Sequence, residues 1–199
     1  MTDLARRILA TPPKARRRLV AVAGPPASGK STLAEGLART LTKAALVPMD
    51  GFHLDNRVLD ARGDRPRKGA PWTFDAAGFA ALCARLGSDA GVFYPTFDRE
   101  RDIAVAGSGH LAPETETVIV EGNYLLYSEP PWSDLAALWD LTIWLNVPMS
   151  TLEARLTDRW RALDLTPEET RAKVEDNDLP NARLVCGNRL PADIEIGES

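Results

Sequence analysis

The chain has 199 residues, of which 44% are hydrophobic and 26% charged, and a formal net charge of −4. That composition suits one globular unit with a full core, and the acidic balance argues against a general nucleic-acid or membrane-surface binder. Two cysteines, Cys83 and Cys186, have no metal-ligand spacing and read as reduced, buried structural thiols.

The N-terminal stretch carries Arg6, Arg7, Lys14, Arg16, Arg17 and Arg18. The apolar run after them is too short for a secretory leader or a membrane span, so the cytoplasm is the expected location. Residues 19–23 read as a short buried strand. They lead straight into Gly24-Pro25-Pro26-Ala27-Ser28-Gly29-Lys30-Ser31-Thr32, which fits G-x-x-x-x-G-K-S, the phosphate-binding loop. A helix over about 30–42 follows, apolar at Leu33, Leu37 and Leu41. Strand before and helix after is the context this motif needs. Backbone N–H groups can then wrap a phosphate, Lys30 reaches the β/γ-phosphates and the Ser31 hydroxyl ligates Mg²⁺. A chance glycine-rich turn is the competing reading.

Residues 45–50 form a second strand ending in Asp50. Residues 51–74 read as a long loop rich in Gly, Pro, Arg and Asp, a length that points to function. Asp75 caps a helix running to about Leu86, with Phe79, Leu82 and Leu86 on one face. Residues 91–111 hold short extended pieces, with His110 in a turn. Strands follow at 117–122 and 141–147. Ser150 and Glu153 have capping-box spacing ahead of a helix lined by Leu152, Leu156, Trp160 and Leu163. Thr166-Pro167-Glu168-Glu169 starts another helix, and residues 192–196 form a last strand. The expected fold is α/β: a three-layer P-loop NTPase sandwich, its mainly parallel sheet covered by helices on both faces, with a small helical lid. One domain is expected over 1–199, with acceptor segments at 51–74 and 93–111 and a lid at 152–170.

A phosphate loop alone does not choose a reaction. No Asn-Lys-x-Asp segment is present to read guanine, and no Leu-Ser-Gly-Gly signature of a transporter ATPase. Asp50, at a strand end on the phosphate-loop rim, can take a proton from an incoming hydroxyl and help hold Mg²⁺; capping a turn is the plainer alternative. Glu121 ends a second apolar strand, where Mg²⁺ would give it a partner, although a structural salt bridge would serve. Arg155 and Arg159 share one helix face and can neutralise a transferring phosphoryl group from a lid, or simply be solvated. His53, Arg67 and the aromatic and charged residues around them can line a polar acceptor site, and their basic excess points to an anionic acceptor or to phosphate handling. Asn177-Asp178-Leu179-Pro180-Asn181 can line an adenine or acceptor site, and its residues are also ordinary turn formers.

At these residues the chain resembles the superfamily of uridine kinase, phosphoribulokinase and bacterial pantothenate kinase. Within it, Met49-Asp50-Gly51-Phe52-His53, Gly69-Ala70-Pro71-Trp72-Thr73-Phe74-Asp75, Tyr94-Pro95-Thr96-Phe97-Asp98-Arg99, Val120-Glu121-Gly122-Asn123-Tyr124 and Asn177-Asp178-Leu179-Pro180-Asn181 are similar to bacterial proteins labelled fructose transport system kinase. The resemblance implies an ATP- and Mg²⁺-dependent kinase acting on a hydroxyl of a small metabolite. It makes Lys30 and Ser31 the ATP and Mg²⁺ residues, Asp50 the base, Glu121 a metal assistant and Arg155 and Arg159 lid residues. Tyr94, Asp98, Arg99 and Tyr124 fall to the acceptor. Uridine kinases usually place Tyr and Asp together where this chain has Tyr94-Pro95, which argues against a nucleoside. An ATP-binding regulatory protein and a nucleoside monophosphate kinase are the alternatives. No nucleic-acid or membrane partner is expected, and a homodimer is compatible with this reading.

Overall fold

The structure is a computed structural model and describes residues 1–197. Its elements run α1 (Thr2–Ala10), β1 (Arg18–Ala23), α2 (Lys30–Thr40), β2 (Ala44–Pro48), α3 (Asn56–Arg62), α4 (Ala76–Ser88), β3 (Val92–Asp98), β4 (Ile103–Leu111), β5 (Thr117–Gly122), β6 (Leu141–Asn146), α5 (Met149–Arg161), α6 (Pro167–Lys173), α7 (Leu179–Gly187) and β7 (Ile194–Gly197). Five strands form one parallel sheet in the order β2-β5-β1-β6-β7. β3 and β4 pair separately as an antiparallel hairpin.

The sheet is apolar on both faces because alternate residues of its inner strands point opposite ways. Leu19, Ala21, Ala23, Val118, Val120 and Trp144 face a core shared with Phe79, Leu82 and Leu86 of α4. Val20, Val22, Ile119, Ile143 and Leu145 face a second core with Ile8 of α1 and Leu37 of α2. Three layers result, as the alternation of strand and helix predicts. A third, smaller cluster of Leu156, Val174 and Leu179 joins α5 to the segment before α7, apart from both cores.

Strand order decides where chemistry can gather. The β1–α2–β2 crossover leaves a vacant position beside β1, and β5 fills it. In register, Glu121 lies between Val22 of β1 and Pro48 of β2. The ends of the three strands that carry the phosphate loop, Glu121 and Asp50 therefore share one rim.

Several local expectations change. The N-terminal basic segment contains an amphipathic helix, α1, with Ala5 and Ile8 buried and Arg6 and Arg7 outward. The 51–74 segment is not one loop: α3 forms behind an Asp55 cap, and short 3₁₀ turns cover Met49–Phe52, Arg65–Arg67 and Pro71–Thr73. Asp50 sits in the first of these turns, two residues past β2. α5 starts after Pro148 with no side-chain cap, so Ser150 and Glu153 do not form the capping box their spacing allows. Thr166 and Glu169 do form one at the start of α6. His110 lies in β4 against the Phe93 ring, 4.7 Å between centroids, rather than in a turn. Cys83 is buried, whereas Cys186 is only half-buried.

Arg17 is the largest departure from a solvated basic tail. It is completely buried, and its guanidinium donates to the carbonyls of Leu86, Asp89, Ala90, Ala112 and Thr115. One cation thus closes the C-terminus of α4, where the helix dipole favours positive charge, and ties it to the chain entering β5. Truncation would leave buried carbonyls without a donor. Arg17→Ala should cost about 3–5 kcal/mol in urea unfolding, while Arg16→Ala on the surface should stay within about 0.5 kcal/mol; equal midpoints for the two variants would refute the clamp.

Candidate functional site

A cavity of 990 Å³ opens at the rim formed by β1, β2 and β5. Its floor is the phosphate loop. Gly29 adopts φ 89°, in the left-handed region open to glycine, and Ala27 is held at φ 62°. This αL geometry at the head of α2 turns successive N–H groups inward, the arrangement that binds an anion together with the helix dipole. Gly24 and Pro25 are buried beneath it, and Pro26, Ala27, Gly29, Lys30, Ser31 and Thr32 line the cavity. The Ser28 hydroxyl is buried without a partner.

Charge around Lys30 is tightly balanced. Burial lowers the Lys30 pKa, and the carboxylates of Glu121 and Asp50 oppose that shift. Burial raises the Glu121 pKa, with Lys30 pulling the other way. The Ser31 hydroxyl donates to Glu121 Oε2 at 3.2 Å, which brings two hard oxygen donors together. Burial would also raise Asp50, but the charges of a protonated His53, of Arg99 and of Lys30 outweigh it and hold the carboxyl below its ordinary value. Arg99 donates to Asp50 Oδ2 at 2.5 Å. Among the described residues no cluster of three His, Cys, Asp or Glu could hold a metal by itself.

The turn carrying Asp50 is fixed by close packing. A Cβ on Gly51 would run into the backbone of Pro95 in β3, so only glycine lets that strand pass. His53 then stacks between Phe74 and Phe97, with centroids 4.0 and 4.7 Å away. Its Nδ1 lies 2.8 Å from the Asp50 carbonyl. Burial lowers the His53 pKa, so the ring is neutral near pH 7 and Nδ1–H donates to that carbonyl.

The opposite wall comes from 65–69 and the hairpin turn. Lys68 Nζ is held by Asn56 Oδ1 at 2.7 Å, Asp102 Oδ1 at 2.8 Å and the Asp102 carbonyl at 3.0 Å, above the Phe97 ring. From α5 and beyond, Arg159, Trp160, Leu163, Lys173 and Asp178 close the far side. Trp160 Nε1 donates to Asp178 Oδ2 at 2.5 Å, and burial raises the Asp178 pKa. Asp178 belongs to a π-helical turn, Val174–Asp178, so the tail segment is a helical irregularity rather than a simple turn.

The structure brings together Lys30, Ser31, Asp50, His53, Arg99, Glu121 and Arg159. Other expected residues stand behind the cavity lining. Tyr94 is buried and donates to the Leu46 carbonyl at 3.1 Å; Tyr124 is buried and donates to the Gly69 carbonyl at 2.6 Å. Arg67 is engaged by Asn177 Oδ1 at 3.2 Å and Asn181 Oδ1 at 3.1 Å, against Trp72. Asp98 accepts from the Arg101 N–H within the hairpin turn, and Arg155 donates to the Ala27 carbonyl of the phosphate loop at 3.3 Å without lining the cavity. Of the other loop arginines, Arg57 and Arg62 pair with Asp55 and Asp64, away from the cavity. Sequence reasoning passes over Asn56, Asp102 and Asn123. Asp102 alone leaves a trace, as the kind of residue that tolerates the positive φ of 55° it adopts.

No protein-family model matches the chain. A protein of Schizosaccharomyces pombe named "Putative uridine kinase C227.14" is 36% identical over 196 residues, covering 91% of this chain and 83% of its own. The crystal structure titled as a "putative fructose transport system kinase" from Silicibacter sp. TM1040 superposes with a TM-score of 0.94 at 50% identity, over 98% of this chain and 97% of that one. YFH7 of Saccharomyces cerevisiae shares the fold, with a TM-score of 0.84 at 21% identity, over 100% and 99% of the two chains. With a phosphate loop and two rim carboxylates in one cavity, and relatives this similar along nearly their whole length, the chain belongs to the uridine kinase-like family of P-loop kinases.

Proposed function

We propose that this kinase uses ATP and Mg²⁺ to phosphorylate a hydroxyl of a small metabolite. The observation that carries the reading is Asp50: a rim carboxylate in the same cavity as the phosphate loop, with an aromatic and polar pocket beside it. The donor set suits Mg²⁺, since Ser31, Glu121 and Asp50 offer hard oxygens and phosphate oxygens would complete the shell. When bound, Mg²⁺ held by these residues would supply positive charge against the negative charge of the phosphates.

The chain's own groups do the rest. Lys30 and backbone N–H groups of the phosphate loop at the head of α2 bind the phosphates. Asp50 orients the acceptor hydroxyl and takes its proton as the oxygen bonds to the γ-phosphorus and the bond to the β-phosphate oxygen of the departing ADP breaks. His53 and Phe97 shape the acceptor side. Arg159 offers positive charge to the phosphoryl oxygens from α5, and Trp160 and Leu163 exclude water from that side. The helices α5 and α6 act as the lid, with Leu156 of α5 packed on Val174 and Leu179 in a small cluster of their own.

Screening sugars, nucleosides, pantothenate and nucleoside monophosphates for ADP release should identify at least one acceptor that depends on Asp50. Asp50→Asn should lower that turnover by about 10²–10⁴-fold while calorimetry finds ATP binding retained. Normal turnover in this variant would remove the base, and ATP binding with no acceptor-dependent ADP would favour a regulatory nucleotide binder. Lys30→Ala should weaken ATP affinity and rate together, and unchanged ATP kinetics would contradict the loop assignment. Arg159→Ala should reduce kcat by about 10²–10³-fold. Arg161→Ala, whose side chain is exposed beside Asp158, should leave it within about twofold; matching losses would dismiss a specific role for Arg159.

A further inference from the structure

We propose that Arg99 is a latch on Asp50, and that the true acceptor opens it with an anionic group of its own, a carboxylate or a phosphate carried near the hydroxyl to be phosphorylated. The inference rests on the kinase reading and narrows it to a substrate class and a mode of control.

The geometry starts from a conflict. Asp50 is positioned as the proton acceptor, yet one of its oxygens is taken up by the Arg99 guanidinium at 2.5 Å. An ion-paired carboxylate is a weak base and has less room for a hydroxyl. Arg99 reaches it from the exposed turn between β3 and β4, with 61% of its side chain accessible, against 20% for Asp50. Among the described residues Asp50 is its only hydrogen-bond and salt-bridge partner. The other cations on this wall are already satisfied. Lys68 has three oxygen acceptors, and Arg65 pairs with Asp60 at 3.1 Å and faces Asp102 at 3.9 Å.

Arg99 is therefore the acceptor-side cation whose partner must be released before chemistry. A neutral polyol offers nothing to replace that carboxylate, so drawing Arg99 away would leave a charge unpaired next to a desolvated site. An acceptor anion exchanges one oxyanion for another, and the guanidinium can take either a carboxylate or a phosphate bidentately. Binding then frees Asp50 only when a phosphorylatable molecule is in place. In the empty site the same pair keeps Asp50 from activating water. Hydrolysis would need a water oxygen to bond the γ-phosphorus as the bond to the β-phosphate oxygen of ADP breaks, with the water proton passing to Asp50.

Two measurements on the full chain test this. Acceptor-free ADP and phosphate release is compared for wild type, Arg99→Met, Arg99→Lys and the double variant Arg99→Met/Asp50→Asn. The latch predicts that Arg99→Met hydrolyses ATP about tenfold faster or more, that Arg99→Lys stays near wild type, and that the double variant loses the gain. Arg99→Met no faster than wild type, or a gain that survives Asp50→Asn, overturns it. Wild-type kcat/KM is then measured for glycerate against glycerol and for fructose 6-phosphate against fructose. An anionic member preferred by roughly a hundredfold, with the preference lost in Arg99→Met, supports the substrate class, and the two pairs separate carboxylate from phosphate. A neutral member used as well as its anionic partner overturns the class and leaves the kinase reading intact. ATP bound but turned over by no variant and with no acceptor in the panel or the wider screen overturns the kinase reading, and the latch with it.

Discussion

Lys30 lies half-buried between two carboxylates, and the rest of the site is arranged around that charge balance. Burial disfavours its ammonium and disfavours the Glu121 carboxylate, while each favours the other's charged form. Such a cluster is not stabilising by default, because desolvation offsets much of the Coulomb attraction. It is held together by the sheet. β5 between β1 and β2 leaves Glu121, the phosphate loop and the Asp50 turn no other place to go. A polyanion entering above Lys30 would supply charge that the lysine lacks, which is why an arrangement costly to the empty protein suits a phosphate-binding one.

The scaffold and the covering helices are stabilised by different means. Two large clusters grip the sheet from both faces, and the buried guanidinium of Arg17 locks the end of α4 to the chain entering β5. The helix α5, the π-helical turn and the start of α7 meet in the small cluster of Leu156, Val174 and Leu179. Elements with few buried apolar contacts open at lower free energy than the body they cover. Trp160 adds a polar tie, since its indole donates to Asp178. The arginines that α5 carries thus sit on a part that can shift without disturbing the sheet.

What the sequence reveals follows from how local each signal is. The phosphate loop, the Asp75 cap and the Thr166–Glu169 capping box are written in consecutive or nearly consecutive residues, so pattern alone finds them. The strands β1, β5 and β6 declare themselves as apolar runs buried on both faces. Arg17 does not, because a cation serving five carbonyls looks the same in sequence as one in water. Tyr94 and Tyr124 sit in segments that meet the acceptor side, yet hydrogen bonds to Leu46 and Gly69 turn their hydroxyls into the wall. Ser150 and Glu153 match a cap pattern that loses to a start at Pro148. Asn56 and Asp102 stand 46 positions apart in sequence, and only the hairpin folding over α3 brings them to one lysine.

That network has a consequence for specificity. Lys68, Asn56 and Asp102 satisfy one another, and Arg67 is spent on Asn177 and Asn181 while Asn177 also donates to the Lys68 carbonyl. Arg67 and Lys68 of the basic 51–74 segment therefore brace this wall instead of attracting a ligand. The bracing links three parts of the chain: α3, the hairpin turn and the π-helical turn behind Trp160. A ligand that displaced one member would leave buried partners unpaired, at a cost of about 1–3 kcal/mol for each group. The wall should hence behave as one rigid unit, with selectivity set by shape and by the few groups that keep a free valence toward the cavity. His53 is such a group, since its Nδ1–H is committed to the Asp50 carbonyl and its other nitrogen remains an acceptor. An acceptor hydroxyl pointed at that nitrogen would lie close to Asp50, so on the proposed reading the residue that lines the pocket would also set the distance over which a proton moves.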